Sequence, residues 1–311
     1  MQEPDQEFTR EILRKVRQIE IKSNRLISEV LSGSYQSAFK GQGIDFEEVR
    51  DYQPGDEVRS IDWNVTAKMG VPYVKQYREE RELTILLAVD ISESGIFGSH
   101  DRSKRERMAE LGALLAFSAV RNGDKVGLLL FAEEIEKYLP PAKGQKHVLR
   151  ILREILFFQN RTKQTNLNEG LRFINKVMRR RAVVFFLSDF IIPDYFEEKV
   201  EEQMEDMFYK EISSTKKRHD LICAQVGDPC EFKLPSTGIT TFEDAESSEV
   251  ITIDLSEKKC RLQYEENVAA RQNNFSQKLK RRGIDFFKFS TNLEFDKALK
   301  EFFHLRKSRR R

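Results

Sequence analysis

Long apolar runs are missing from this 311-residue chain. A membrane-spanning helix needs roughly 18 or more consecutive apolar residues. The most apolar stretches, Leu111–Val120, Val126–Ala132 and Ala182–Leu187, are far shorter and suit a buried helix and buried strands. No membrane insertion is expected. Cysteine is scarce as well: Cys223, Cys230 and Cys260 stand apart, with no CxxC. An odd, sparse set excludes a disulfide scaffold and points to reduced thiols in a reducing compartment. The opening MQEPDQEFTR has neither the basic region nor the apolar region of a secretory signal. These features predict a cytoplasmic protein.

Nor does one sign of charge dominate. Lys and Arg number 53 against 51 Asp and Glu, a net charge of +2. Such a balance supplies no global field to draw the chain onto nucleic acid, which is not an expected partner. Phosphate-cradling motifs are also lacking. There is no G-x-x-x-x-G-K-[ST], and no G-x-G-x-x-G follows the first long strand. His147 and His219 are lone histidines without ligand spacing and read as structural.

What is present is core material and a clear alternation. Twenty-three Phe within 39% hydrophobic residues exclude wholesale disorder. The length fits about two domains, or one large α/β domain with an appendage. Phe8, Ile12, Val16, Ile19, Leu26 and Val30 form one apolar stripe at helical spacing, so residues 1–31 are expected to hold an N-terminal amphipathic helix. Residues 32–81 change character. They are rich in Gly, Tyr, Asp and Pro, carry turn signals at Gly41-Gln42-Gly43 and Pro54-Gly55-Asp56, and contain the only Trp, Trp63. A small β-rich module is predicted there.

From residue 82 to 304, buried-strand patterns alternate with helical ones. Strands are expected at Leu83–Ile91, Lys125–Phe131, Ala182–Phe190, Asp220–Val226, Glu249–Leu255 and Ile284–Phe289, with a short edge strand at Ile135–Leu139. Helices are expected at Lys104–Arg121, Lys146–Phe158, Asn168–Arg180, Asp194–Ser213, Arg261–Lys280 and Leu293–Phe303. The fold class is therefore α/β, a doubly wound and mostly parallel sheet. Residues 305–311 read as a basic, solvated tail.

Open α/β sheets bind ligands beyond the carboxyl ends of their strands, near the switch point. The first strand ends in Asp90-Ile91-Ser92-Glu93-Ser94, and alternate residues of an extended segment point the same way. The third long strand ends in Ser188-Asp189. Between them, Lys163–Leu167 opens a helix and carries Thr165. Two carboxylates and three hydroxyls form a hard, all-oxygen set of the kind Mg²⁺ (or Mn²⁺) prefers. Side chains need not fill every coordination position, and an open one attracts a carboxylate from another molecule.

Asp90, Ser92, Ser94, Thr165 and Asp189 resemble, residue by residue, the metal-ion-dependent adhesion site of von Willebrand factor type A domains. The earlier run Gly41-x-Gly43-x-x-Phe46-x-x-x-Arg50-x-Tyr52-x-Pro54-Gly55-Asp56-x-x-Arg59-x-Ile61-Asp62-Trp63 resembles the signature of the domain-of-unknown-function 58 (DUF58) family. Members of that family join such a segment to a type A domain. The resemblance covers about Ile12 to Leu255 and includes Pro140-Pro141, Gly144, His147-Val148-Leu149 and Arg218-His219-Asp220. One departure is Gly95, where the family often has Met. The resemblance implies a von Willebrand factor A-like fold and a non-enzymatic adaptor. It further implies a MoxR-type AAA+ ATPase partner, in chaperone-like maturation or assembly of client proteins, with a client or ATPase Asp or Glu completing the metal. Arg50, Tyr52, Asp56, Arg59, Asp62 and Trp63 are candidate partner-binding residues, with Trp63 as an interface anchor; the alternative is a structural staple, in which Arg50, Asp56, Arg59 and Asp62 form ion pairs that fix the module to the sheet domain.

Two alternatives compete. One is a Mg²⁺-dependent phosphohydrolase with Asp90 as nucleophile; Ser92 then stands where a second Asp is needed, and no Lys stands in an evident phosphate-clamping motif. The other is a structural domain with a vestigial metal site.

Overall fold

The structure is a computed structural model that describes residues 6–27, 45–78, 82–191, 198–245, 248–292 and 295–309. The predicted end of the first helix past Ile27, the Gly41-x-Gly43 turn and the start of the helix expected at Asp194 lie outside the described residues. The chain divides into two compact units, residues 39–83 and the remainder.

In the smaller unit, β1 (Asp45–Asp51) pairs antiparallel with β2 (Tyr73–Arg78), with Arg50 opposite Val74 and Asp51 opposite Tyr73. The Pro54-Gly55 turn forms as expected: Asp56 N donates to Gln53 O at 3.0 Å, and Gly55 takes φ 112°. Between the strands lies a helix that the β-rich expectation omitted, α2 (Trp63–Met69), the N-terminal helix α1 being Gln6–Leu26. Its residues include strand-favouring Trp, Val and Thr, so propensity hid it. Capping decides the outcome. Asp62 Oδ1 accepts from Asn64 N at 3.0 Å and Val65 N at 3.3 Å, and Gly70 closes the helix at φ 75°.

The larger unit holds one six-stranded sheet in the order β10-β7-β6-β3-β4-β5. Its strands are β3 (Thr84–Asp90), β4 (Lys125–Phe131), β5 (Ile135–Ala142), β6 (Val183–Ser188), β7 (Asp220–Gly227) and β10 (Asp285–Ser290). All pairings are parallel except β4 with β5. The expected edge strand is β5, and Pro140 and Pro141 suit an edge because they donate nothing to a ladder. Strands β3, β6 and β7 are almost wholly buried, as their unbroken apolar runs require.

Helices cover both faces. On one, α5 (Leu167–Val177), α6 (Glu198–Arg218) and α8 (Lys258–Arg281) seat Leu171, Ile174, Phe208, Ile212 and Leu279 on Leu86, Ala88, Val184 and Phe186. Across the sheet, α3 (Lys104–Arg121) packs on α4 (Gln145–Phe157), and α1 (Gln6–Leu26) lies against both. Of the described residues of the predicted stripe, Val16 is buried and Ile19 and Leu26 are half-buried, and Lys15 Nζ lies 2.9 Å from Glu106 Oε1. This is a doubly wound α/β fold.

Two expectations need correction. The strand expected at Glu249–Leu255 forms as β9 (Val250–Asp254) but does not join the main sheet. It pairs antiparallel with β8 (Ile239–Glu243), a strand the pattern did not reveal, as a separate two-stranded sheet. Val250 is 65% exposed and Ile251 53%, so the short apolar run never acquires a second layer. The basic tail is also largely absent. Helix α9 (Phe295–Arg309) runs through it, and Arg306 is buried, ion-paired to Asp285 Oδ2 at 2.6 Å and to Asp220.

Candidate functional site

Strand order reverses between β6 and β3: the chain leaves β3 towards β4 on one side, while β6 feeds β7 on the other. The crevice beyond the C-terminal ends of β3 and β6 is therefore the topological switch point. Asp90 ends β3 and Asp189 follows β6. Both are buried, 3% and 5% exposed. Ser92 Oγ lies 3.1 Å from Ser94 Oγ, and Ser94 Oγ donates to Asp189 Oδ2 at 2.9 Å. Asp90 Oδ1 accepts from Ser92 N at 3.0 Å, and Asp90 Oδ2 from Ser188 Oγ at 2.7 Å. Asp90, Ser92, Ser94 and Asp189 thus form one hydrogen-bonded group, brought together from two strand ends.

Thr165 is half-buried in the loop that leads into α5. Glu93 N donates to Lys163 O at 3.1 Å and Asn166 N to Ala132 O at 2.9 Å, which pins that loop beside the Ser92–Ser94 segment. The six residues of the smaller unit do not all share one role. Arg50 and Asp56 pair with each other at 2.7 and 2.8 Å, so they staple the module internally, and Asp62 caps α2. The Arg50 guanidinium holds the Asp56 carboxyl below its usual range. Tyr52 N donates to Pro72 O at 2.9 Å, Arg59 is exposed, and Trp63 is 66% exposed.

Pattern reading missed Lys104. It is 1% exposed, with Nζ 2.7 Å from Asp189 Oδ2 and 2.5 Å from Glu231 Oε1, Glu231 lying on the short helix α7 (Pro229–Phe232) after β7. Burial opposes its charge, but the two carboxylates outweigh burial and hold its pKa above the usual lysine value. Lys104 belongs to no phosphate-clamping motif, and its ammonium is already engaged by two carboxylates. A signal did exist. Lys104, Arg105 and Arg107 crowd the N-terminal turn of α3, the positive end of the helix, where basic residues are disfavoured unless something anionic faces them. Arg105 Nε donates to Ile155 O at 2.6 Å and Arg107 Nε to Thr291 O at 2.7 Å.

Further contacts stiffen the crevice. Gln225 Nε2 donates to Asp189 O at 2.7 Å. Phe190 adopts φ 54°, a left-handed conformation that costs an aromatic residue about 1–3 kcal/mol. Its N–H donates to Ser188 Oγ at 2.9 Å, and its ring packs 5.2 Å from Phe275 and 5.9 Å from Phe186, which hold the strained turn. That turn lets Ile191 N donate to Asp189 Oδ1 at 3.1 Å. Burial, then the charge of Asp189, push the Asp90 pKa up to about 7 against the opposing bonds from Ser92 and Ser188.

These residues fit a hard divalent cation. The donors are all oxygen, and once Asp90 is ionised three carboxylates (Asp90, Asp189, Glu231) against one ammonium leave two negative charges in a largely buried place. Among the described residues no group of three or more His, Cys, Asp and Glu is placed to hold a metal, so this set depends on its hydroxyls.

A sequence profile described as "Protein of unknown function DUF58" matches residues 48–274. The chain belongs to the DUF58 family. An uncharacterized protein of Mycobacterium tuberculosis, Rv1480, is 29% identical over 237 residues, 76% of this chain and 71% of its own length. The uncharacterized protein YeaD of Bacillus subtilis is 27% identical over 107 residues, 34% of this chain and 25% of its own. Among solved structures, the conserved hypothetical protein BatB of Bacteroides thetaiotaomicron superposes with a TM-score of 0.45 at 15% identity, covering 73% of this chain and 99% of its own. Among the described residues of this DUF58 chain, no helix is long and apolar enough to cross a membrane.

Proposed function

We propose that this chain is a non-enzymatic protein-binding adaptor whose switch-point crevice holds Mg²⁺ (or Mn²⁺) on Asp90, Ser92, Ser94, Thr165 and Asp189. The observation that carries the reading is the hydrogen-bonded convergence of two buried carboxylates and two hydroxyls at the ends of β3 and β6. A bound divalent ion supplies an open coordination position suited to a carboxylate oxygen of a partner. The surroundings suit a protein partner. Ile96 (55% exposed), Phe97 (45%) and Ile191 (54%) lie within three residues of Ser94 or Asp189, giving a polar centre with apolar neighbours.

A MoxR-type AAA+ ATPase, or its client, is the first partner to try, as the family resemblance implies, in chaperone-like maturation or assembly. The three cysteines are free thiols, in keeping with a cytoplasmic setting. A phosphohydrolase reading is less well supported, because Ser92 stands where a second Asp is needed and Lys104 is engaged with two carboxylates.

The test is capture of a MoxR-type ATPase on immobilised protein with Mg²⁺, with EDTA, and with Asp90→Ala, alongside thermal melts with and without the ion. Capture lost with EDTA and with Asp90→Ala, in a protein that still folds, is the expected result. Metal-independent melts, together with capture indifferent to both treatments, would overturn the reading.

A further inference from the structure

Resting on that metal-site reading, we propose that Lys104 is an internal counter-cation that sets the charge of the crevice, weakening its hold on the metal ion while favouring an anionic partner group. Lys104 is the first residue of α3, directly after the N-cap Ser103. A buried ammonium at the positive end of a helix is unfavourable twice over, through desolvation and through the helix dipole. Only specific anions make the position tenable, and the structure supplies two. Asp189 Oδ2 accepts from Lys104 Nζ and from Ser94 Oγ, so the ammonium shares one oxygen with a candidate metal-binding hydroxyl.

The second anion is held in a stiff frame. Glu231 Oε2 accepts from Asp228 N at 2.8 Å, closing a capping box. Asp228 accepts from Ser99 Oγ and from Thr291 Oγ1, both at 2.5 Å. Lys104 is anchored in turn, its N–H donating to Phe97 O at 2.9 Å. The Lys104 side chain is 1% exposed and bonded to both carboxylates, which holds the ammonium beside the crevice.

The consequence is electrostatic. Three carboxylates and one ammonium carry two negative charges, which a divalent ion neutralises. An incoming carboxylate then meets a neutral centre. Without the ammonium, the ion would be held more tightly, but the loaded crevice would keep a negative charge and repel the same carboxylate. A residue that merely braced the fold would not move the two affinities in opposite directions.

Calorimetric titration of the whole chain with Mg²⁺ at about pH 8, where carboxylates are ionised, tests this with Lys104→Met, Glu231→Gln and the double variant. Lys104→Met is expected to bind Mg²⁺ about tenfold tighter or more, and Glu231→Gln weaker by a similar factor. The double variant loses one charge of each sign and is expected near the wild-type affinity. N-acetyl-aspartate amide, titrated into the Mg²⁺-loaded proteins, is expected to bind Lys104→Met more weakly than wild type. Should Lys104→Met fail to fold, Glu231→Gln and the double variant still carry the test. Mg²⁺ binding by wild type without this ordering, or without the opposed effect on the aspartate probe, overturns the role of Lys104 alone. No Mg²⁺ binding by wild type overturns the metal-site reading and this inference together.

Discussion

Ser188 Oγ donates to Asp90 Oδ2 at 2.7 Å across two neighbouring parallel strands, between residues 98 positions apart in sequence. The same oxygen, Ser188 Oγ, accepts from Phe190 N at 2.9 Å. One buried hydroxyl thus joins the carboxylate at the end of β3 to the strained turn after β6. Ser188→Ala should destabilise the protein by about 1–3 kcal/mol, the range for leaving a buried polar group without its partner. Urea unfolding measures this. A loss below about 0.5 kcal/mol, the level of an ordinary surface change, would mean that the bond contributes little.

Asp90 gives stability a pH dependence. Its ordinary pKa of 3.8 applies to the unfolded chain, and the folded, metal-free protein holds it at about 7. A carboxyl raised in this way contributes stability that is complete below about pH 4 and is lost as pH rises to about 7. The thermal midpoint of EDTA-treated protein should fall across that window, and Asp90→Asn should remove that part of the slope. Mg²⁺ should stabilise more at about pH 8 than at about pH 6, since an ionised carboxylate is the better ligand. Equal slopes for wild type and Asp90→Asn would exclude Asp90 as the cause.

Arg306 should matter far more than a residue of a frayed end. It is 3% exposed and pairs with both Asp220 and Asp285. Arg306→Met removes the buried cation that Asp220 and Asp285 share, while Asp220 keeps Lys216 Nζ at 3.9 Å, so a loss of about 3 kcal/mol is expected in denaturant unfolding. Unchanged stability would restore the solvated-tail reading of residues 305–311.

Asp62→Ala should act locally. Losing the N-cap should cost about 1 kcal/mol and speed amide exchange at Thr66 and Gly70, which bond to Asp62 O and Thr66 O at 2.9 and 3.0 Å. The amides of β3 and β6 should keep their protection. Protection lost equally in both units would contradict a local cap.

Catalysis should be absent. Hydrolysis of p-nitrophenyl phosphate with Mg²⁺ should not exceed the rate of Asp90→Asn. Turnover above that background would revive Asp90 as a nucleophile.

Much of this was legible in the chain itself. Apolar runs within Leu83–Ile91 and Ala182–Phe190 marked strands buried on both faces, because each residue needs an apolar neighbour above and below the sheet. Polar residues at their ends marked the rim, so Asp90, Ser92, Ser94 and Asp189 could be named before any geometry was known. Local pattern failed where a distant partner decides. Val250–Asp254 looks like the other strands, yet only pairing with Ile239–Glu243 determines that it stands outside the sheet. Lys104 and Arg306 look like solvated charges, yet the carboxylates that bury them are contributed by other elements.

Sequence by itself therefore determined the six strands of the main sheet, the mostly parallel doubly wound class and the oxygen-rich chemistry of the crevice, since these follow from hydrophobic period and residue type. Tertiary structure alone decided which charges are buried and what neutralises them. The reason is range: periodicity is a property of neighbours along the chain, whereas the energy of a buried charge depends on which opposite charge the fold brings within hydrogen-bonding distance.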